Sequence, residues 1–183
     1  MTGFGVPRRL FALALLHSAA LGCGAGGMVN DNADRPRDDV AIAPGVPADS
    51  VPVAFREISG AKTQASNHTD SGRVVIRDAA EWERFWGAIV AAVSPSPPVP
   101  EIDFERQMVL AAAMGQRPSG GYTIDIDAVY LSGGTVFVVV KSVGPGPTCG
   151  GASVMTAPVV AVAIDRLDAP VHFVERTETT DCG

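Results

Sequence analysis

The chain has 183 residues, with 14 Lys and Arg against 20 Asp and Glu and a formal charge of -6. That length fits one domain with a tail and leaves enough chain for an ordinary core. The acidic balance excludes the basic stripe on which nucleic-acid binding depends. Residues 1–22 form the first element: Arg8 and Arg9 precede an apolar run over 10–16, and the small residues Ser18, Ala19 and Ala20 follow. A charged start, a short apolar stretch and a small-residue exit predict a secretory signal, too short to span a bilayer.

The exit itself, Ala20, Leu21, Gly22 and Cys23, resembles the lipobox of bacterial lipoproteins, with Ala20 where that family most often carries Leu. The resemblance implies cleavage after Gly22 and lipidation of Cys23. Several acyl chains, at about 0.8 kcal/mol per buried methylene, hold a protein stably at a membrane. Two of the 14 basic residues and none of the 20 acidic ones lie in 1–22, so the remaining chain is more acidic still. Its expected membrane contact is therefore covalent, through the lipid. Residues 23–51 are rich in Gly, Ala, Asn, Asp and Pro and lack periodicity, which predicts a disordered tether.

A single domain is expected over 52–183. Residues 53–58 alternate weakly and 73–77 more clearly, giving two strands. Asp78, with Glu81 three residues on, can cap a helix over 78–93. Trp82, Phe85, Trp86, Ile89, Val90 and Val93 then form one apolar stripe at helical spacing, which makes both tryptophans core anchors. The helix stops at Pro95, Pro97 and Pro98. Residues 108–114 are apolar on both faces, as in a central strand. Residues 122–130 alternate, with Ile124, Ile126 and Ala128 to one side, and Gly133 and Gly134 turn the chain into a returning strand over 136–141. Two more strands are read at 159–164 and 171–174. The expected class is α+β, mostly β: an antiparallel sheet of about six or seven strands with one amphipathic helix packed on it.

Between two central strands lies a shaped connection, Gly115 to Tyr122, in which Pro118 presets φ and Gly120 and Gly121 permit positive φ. The order of a strand, a helix with Glu81–Trp82 and Phe85–Trp86, then Ile102, Asp103 and Phe104, then Met108 and Val109, then this turn, resembles the PrcB-type domain. That is the C-terminal domain of bacterial protease-complex subunit lipoproteins. The resemblance runs over 52–175 and is most specific at Asp103, Phe104 and 115–122. It implies a non-enzymatic lipoprotein that associates with an exported serine protease and supports its assembly or stability. It brings no catalytic residues. The same turn is also similar to the Asn-Pro-Thr-Thr-Gly-Tyr loop of chagasin-type cysteine-protease inhibitors, with Arg117 replacing the Asn and Gly120 a Thr. That likeness implies an immunoglobulin-like, loop-wedge inhibitor, from which a helix packed on the sheet would set this chain apart.

Little else offers chemistry. A nucleophile needs a base within hydrogen-bond reach. Beyond the signal only His68, in a polar stretch, and His172, on a strand, remain. No enzyme, metal or cofactor is expected. Asp125 and Asp127 share a strand face, but two carboxylates fall short of calcium's oxygen shell. Cys149 and Cys182 are the cysteines left in an exported chain, which predicts a disulfide. It would close about 34 residues, contribute roughly 3–4 kcal/mol, and pin the 144–148 loop to the C-terminus. The expected partner-binding surface is Arg117, Pro118, Ser119, Gly120, Gly121 and Tyr122, with 144–149 beside it. The sequence thus points to an envelope lipoprotein, at the outer membrane or in the periplasm, that binds a partner such as a secreted protease.

Overall fold

A computed structural model describes residues 42–150 and 153–182. The signal expected over 1–22, Cys23 and the expected tether as far as residue 41 lie outside the described residues. The elements are β1 (Val51–Pro52), β2 (Phe55–Glu57), β3 (Ser71–Ile76), α1 (Ala79–Val90), β4 (Gln107–Met114), β5 (Thr123–Ser132), β6 (Thr135–Pro145), β7 (Val159–Asp165) and β8 (Val171–Thr180). They form two four-stranded sheets, ordered β1-β5-β6-β8 and β2-β7-β4-β3. The class is α+β and mostly β, as expected, but two sheets replace the single one, and β8 runs parallel to β6. Alternation reports which faces of a strand are buried, not which strand lies alongside. Of the segment over 53–58, expected as one strand, only Phe55–Glu57 (β2) forms one, pairing with β7, while β1, just before it at Val51–Pro52, pairs with β5 in the other sheet.

β4 explains the layering. Its residues Val109, Ala111 and Ala113 face α1, together with Val159, Ala161 and Ala163 of β7. Its alternate residues Met108, Leu110 and Ala112 face the second sheet, against Ile124, Ile126 and Val129 of β5 and Val136, Val138 and Val140 of β6. A strand apolar on both faces here separates two cores. The helix-facing positions are small, and the helix fills the space above them with Trp82, Phe85 and Trp86. Asp78 caps α1 as expected, its Oδ1 accepting from the Glu81 N–H at 2.8 Å. The helix ends at Val90, leaving Val93 half exposed rather than on the buried stripe.

The outer face of the β1-β5-β6-β8 sheet is also covered. Ala43 and Val46, in the stretch expected to be tether, are buried against Tyr130, Val139 and Val174, and Asp49 accepts a hydrogen bond from Ser132 Oγ at 2.9 Å. A β-bulge between Ile126 and Ala128 shifts the β5 register there. Ala128 therefore packs with Tyr130 on this outer face, not with Ile124 and Ile126 as expected. At one edge Arg73 of β3 spans the two sheets, donating from Nε and Nη2 to Glu175 of β8 at 2.8 and 2.7 Å. Its Nη1 donates to the Ala113 carbonyl at 2.8 Å, so the fork is held from behind.

Candidate functional site

The connection from β4 to β5 carries the chain from one sheet to the other. It begins at Gly115, whose φ is +74°. A Cβ there would lie 2.7 Å from the Ser71 backbone nitrogen, so the chain passes too close to β3 for any side chain. The Gln116 N–H then donates to the Thr69 carbonyl at 2.9 Å, and Arg117 exchanges two backbone hydrogen bonds with Thr156 at 2.7 and 3.0 Å. Thr156 Oγ1 donates to the Ser119 carbonyl at 3.0 Å, fixing the far side of the turn.

Arg117 faces inward. Its Nη2 donates to the Met114 carbonyl at 2.7 Å, and its guanidinium carbon lies 5.7 Å from the centre of the Tyr122 ring. Tyr122 packs against Gly144, where an added Cβ would come within 3.2 Å of the ring, and Gly121 abuts Pro145. The structure therefore brings 117–122 beside 144–149, although Gly144 and Pro145 close strand β6 and the loop begins only after them. Cys149 and Cys182 are joined in a disulfide with Cα atoms 4.9 Å apart, and the Gly146 N–H donates to the Thr180 carbonyl at 2.9 Å. The loop is thus tied to the end of β8.

Of the six turn residues, Pro118 and Gly121 are exposed and the other four are half-buried. Arg117 and Tyr122 shape the turn more than they present it. Two exposed residues escaped the sequence reading: Val154 and Met155, 54% and 59% exposed, immediately before Thr156. An apolar pair inside a stretch of Gly, Ser and Thr was the signal available. They lie next to Thr156, which ties this loop to the turn at Arg117.

The titratable candidates are kept apart. His68 packs on α1, its ring 4.3 Å from that of Phe85 and its Nε2 3.3 Å from the Phe85 carbonyl. His172 lies edge-on to Phe137, which packs on the outer face of the other sheet. Asp125 pairs with Lys62, and Asp127 with Lys141 at 3.1 Å and Arg176 at 3.6 Å. Each carboxylate answers to a separate set of cations. Among the described residues no group of three His, Cys, Asp or Glu is placed to hold a metal ion, and no helix is long and apolar enough to cross a membrane.

Burial lowers the pKa of His68 from its ordinary 6.5, outweighing the Phe85 carbonyl, which acts in the opposite direction. The folded state thus binds this proton less readily than the unfolded chain. Stability contributed by the neutral ring is complete above about pH 6.5 and is lost as pH falls from there through the lowered folded value. Chemical denaturation at pH 7.5 and 5.5 should show a loss for the native chain and a smaller one for His68→Gln. Equal losses in the two would assign the effect to carboxylates.

No curated protein and no solved structure gives a significant match to the chain. A family model does match: residues 108–165, which run through β4, the turn at Gly115 to Tyr122, β5, β6 and β7, match the model described as PrcB C-terminal, and the family resemblance is shown over that segment.

Proposed function

We propose that this chain is a non-enzymatic lipoprotein of the cell envelope, anchored through Cys23, that binds and supports or modulates an exported protease. The contact surface is the end of the sandwich where 117–122, 144–149 and the pair Val154 and Met155 lie side by side. The observation that carries the reading is the construction of that end. Backbone bonds, a disulfide and an inward-facing arginine hold a loop that leaves the apolar side chains of Val154 and Met155 exposed. A surface ordered before binding loses little conformational freedom when a partner arrives. The match to a PrcB C-terminal model supports a protease-complex role over a free-standing one.

Loop-wedge inhibition of a protease would use the same end, but α1 packed on the outer face of a sheet speaks against that architecture. Capture from native envelope membranes, with mass spectrometry of what is retained, should enrich an exported protease. Val154→Asp and Met155→Asp should each reduce its recovery about 10-fold or more, a loss of roughly 1.4 kcal/mol, while stability stays within about 0.5 kcal/mol. Unchanged recovery would remove this surface from the proposal. Stoichiometric inhibition of the captured protease would favour the inhibitor reading.

A further inference from the structure

The segment between α1 and β4 does more than end a helix. The Trp82 indole N–H donates to the Pro100 carbonyl at 2.9 Å, and that of Trp86 to the Pro97 carbonyl at 3.3 Å. The donors are one α-helical turn apart on a single face. The acceptors are three residues apart, one turn of the extended helix to which proline predisposes a chain. Exposure follows the same threefold repeat: Pro97 and Pro100 are half-buried, whereas Ser96, Pro98 and Val99 are exposed. Grooves flank this strap, one lined by Trp82 and Val99, the other by Trp86, Gly60 and Val93. Among the described residues no backbone–backbone hydrogen bond holds 94–102 to the rest of the fold. The strap rests on two indole donors and on apolar contact, the chemistry by which aromatic grooves read proline-rich ligands.

We propose that the Trp82–Trp86 face is a binding groove for a proline-rich extended segment of a partner protein, filled in the resting chain by its own strap. The strap competes from within the same molecule, so an incoming segment binds only as it opens. Opening breaks no sheet or helix hydrogen bond, because the strap belongs to neither. None of the residues over 115–122 or 144–156 takes part, so the groove stands or falls apart from the protease-binding surface.

The test uses the full chain with residues 95–100 replaced by Gly and Ser, and a synthetic peptide with the native sequence of 94–102. The peptide should shift the emission of the two tryptophans saturably. A peptide carrying Ala at the positions of Pro97 and Pro100 should bind about 10-fold more weakly or worse, and the native chain should bind the first peptide at least about 10-fold more weakly than the variant does. A folded variant that ignores the peptide, or takes both peptides equally, overturns the proposal. So does a concentration-dependent dimer in place of peptide binding, which would assign the groove to a second copy. If the variant loses cooperative unfolding, hydrogen exchange in the native chain decides. Indole protons exchanging about 10-fold or more ahead of the Leu110 and Val162 amides uphold the opening, and exchange in step with them overturns it.

Discussion

Replacing Trp82 with alanine lowers the stability of the domain by about 3–5 kcal/mol, the range for truncating a large buried aromatic side chain. Trp82 is 2% exposed and lies within 5.7 Å of Trp86 and 6.3 Å of Phe85 between ring centres. The sheet residues of its core cluster include Ala111, Ala113, Ala161 and Ala163, which have no side chain long enough to fill the space its removal leaves. The helix therefore either retains a cavity or shifts, and in both cases its hold on the β2-β7-β4-β3 sheet weakens. Trp82→Phe separates the two contributions of the side chain. It keeps most of the ring's burial but removes the donor to the Pro100 carbonyl, so it should cost only about 1–2 kcal/mol. Urea denaturation followed by far-UV circular dichroism reads both variants without relying on the fluorescence that they alter. A domain of ordinary stability, about 5–15 kcal/mol, can be left marginal by the alanine change. Equal losses for Ala and Phe would mean that the strap, not the packing, sets the stability of this layer.

What the sequence reveals and what it conceals divide along the range of the interactions. α1 was legible because its signals are local: Asp78 and Glu81 at its start, and apolar residues recurring with the helical period. β4 was legible as a central strand, but a run apolar on both faces cannot say that one face meets a helix and the other a second sheet. The parallel pairing of β6 with β8 depends on β7 lying in the other sheet, a choice made over more than twenty residues of chain. The bulge before Ala128 has no motif of its own. Ala43 and Val46 are two small apolar residues in a stretch whose composition reads as tether, and only the outer sheet face formed by Tyr130, Val139 and Val174 gives them a place to pack. At the site, Gly115 to Tyr122 stood out because proline and glycine constrain a backbone locally. Val154 and Met155 did not, since exposure is a property of the fold. The proline run was legible as a stop signal, while its attachment to the tryptophans needed the helix to be in place.

Gly115 is where fold and candidate site meet, and Gly115→Ala should cost about 3 kcal/mol or more. Two effects add. A non-glycine residue held at positive φ is strained by roughly 1–3 kcal/mol. The new Cβ would also lie 2.7 Å from the Ser71 nitrogen and 3.0 Å from the Thr69 carbonyl oxygen, both backbone atoms with no rotamer to move to. Relief requires β3 and the turn to separate, which strains the bond from Gln116 to Thr69 and, one residue on, the paired bonds between Arg117 and Thr156. Two other glycines supply the controls. Gly134 has φ +75° with nothing within 4 Å of where an added Cβ would lie, so Gly134→Ala should show the conformational strain alone, about 1 kcal/mol. Gly120 has neither a positive φ nor a neighbour within 4 Å, so Gly120→Ala should be close to neutral. Denaturant midpoints for the three variants order as Gly120→Ala, Gly134→Ala, Gly115→Ala from most to least stable. If Gly115→Ala instead matched Gly134→Ala, the close approach to β3 would not be constraining the turn. Capture of the proposed protease partner should separate the variants by place rather than by stability alone: unaffected in Gly134→Ala, whose hairpin lies outside the proposed contact surface, and weakened in Gly115→Ala, because the loop bearing Val154 and Met155 is registered on the turn through Thr156.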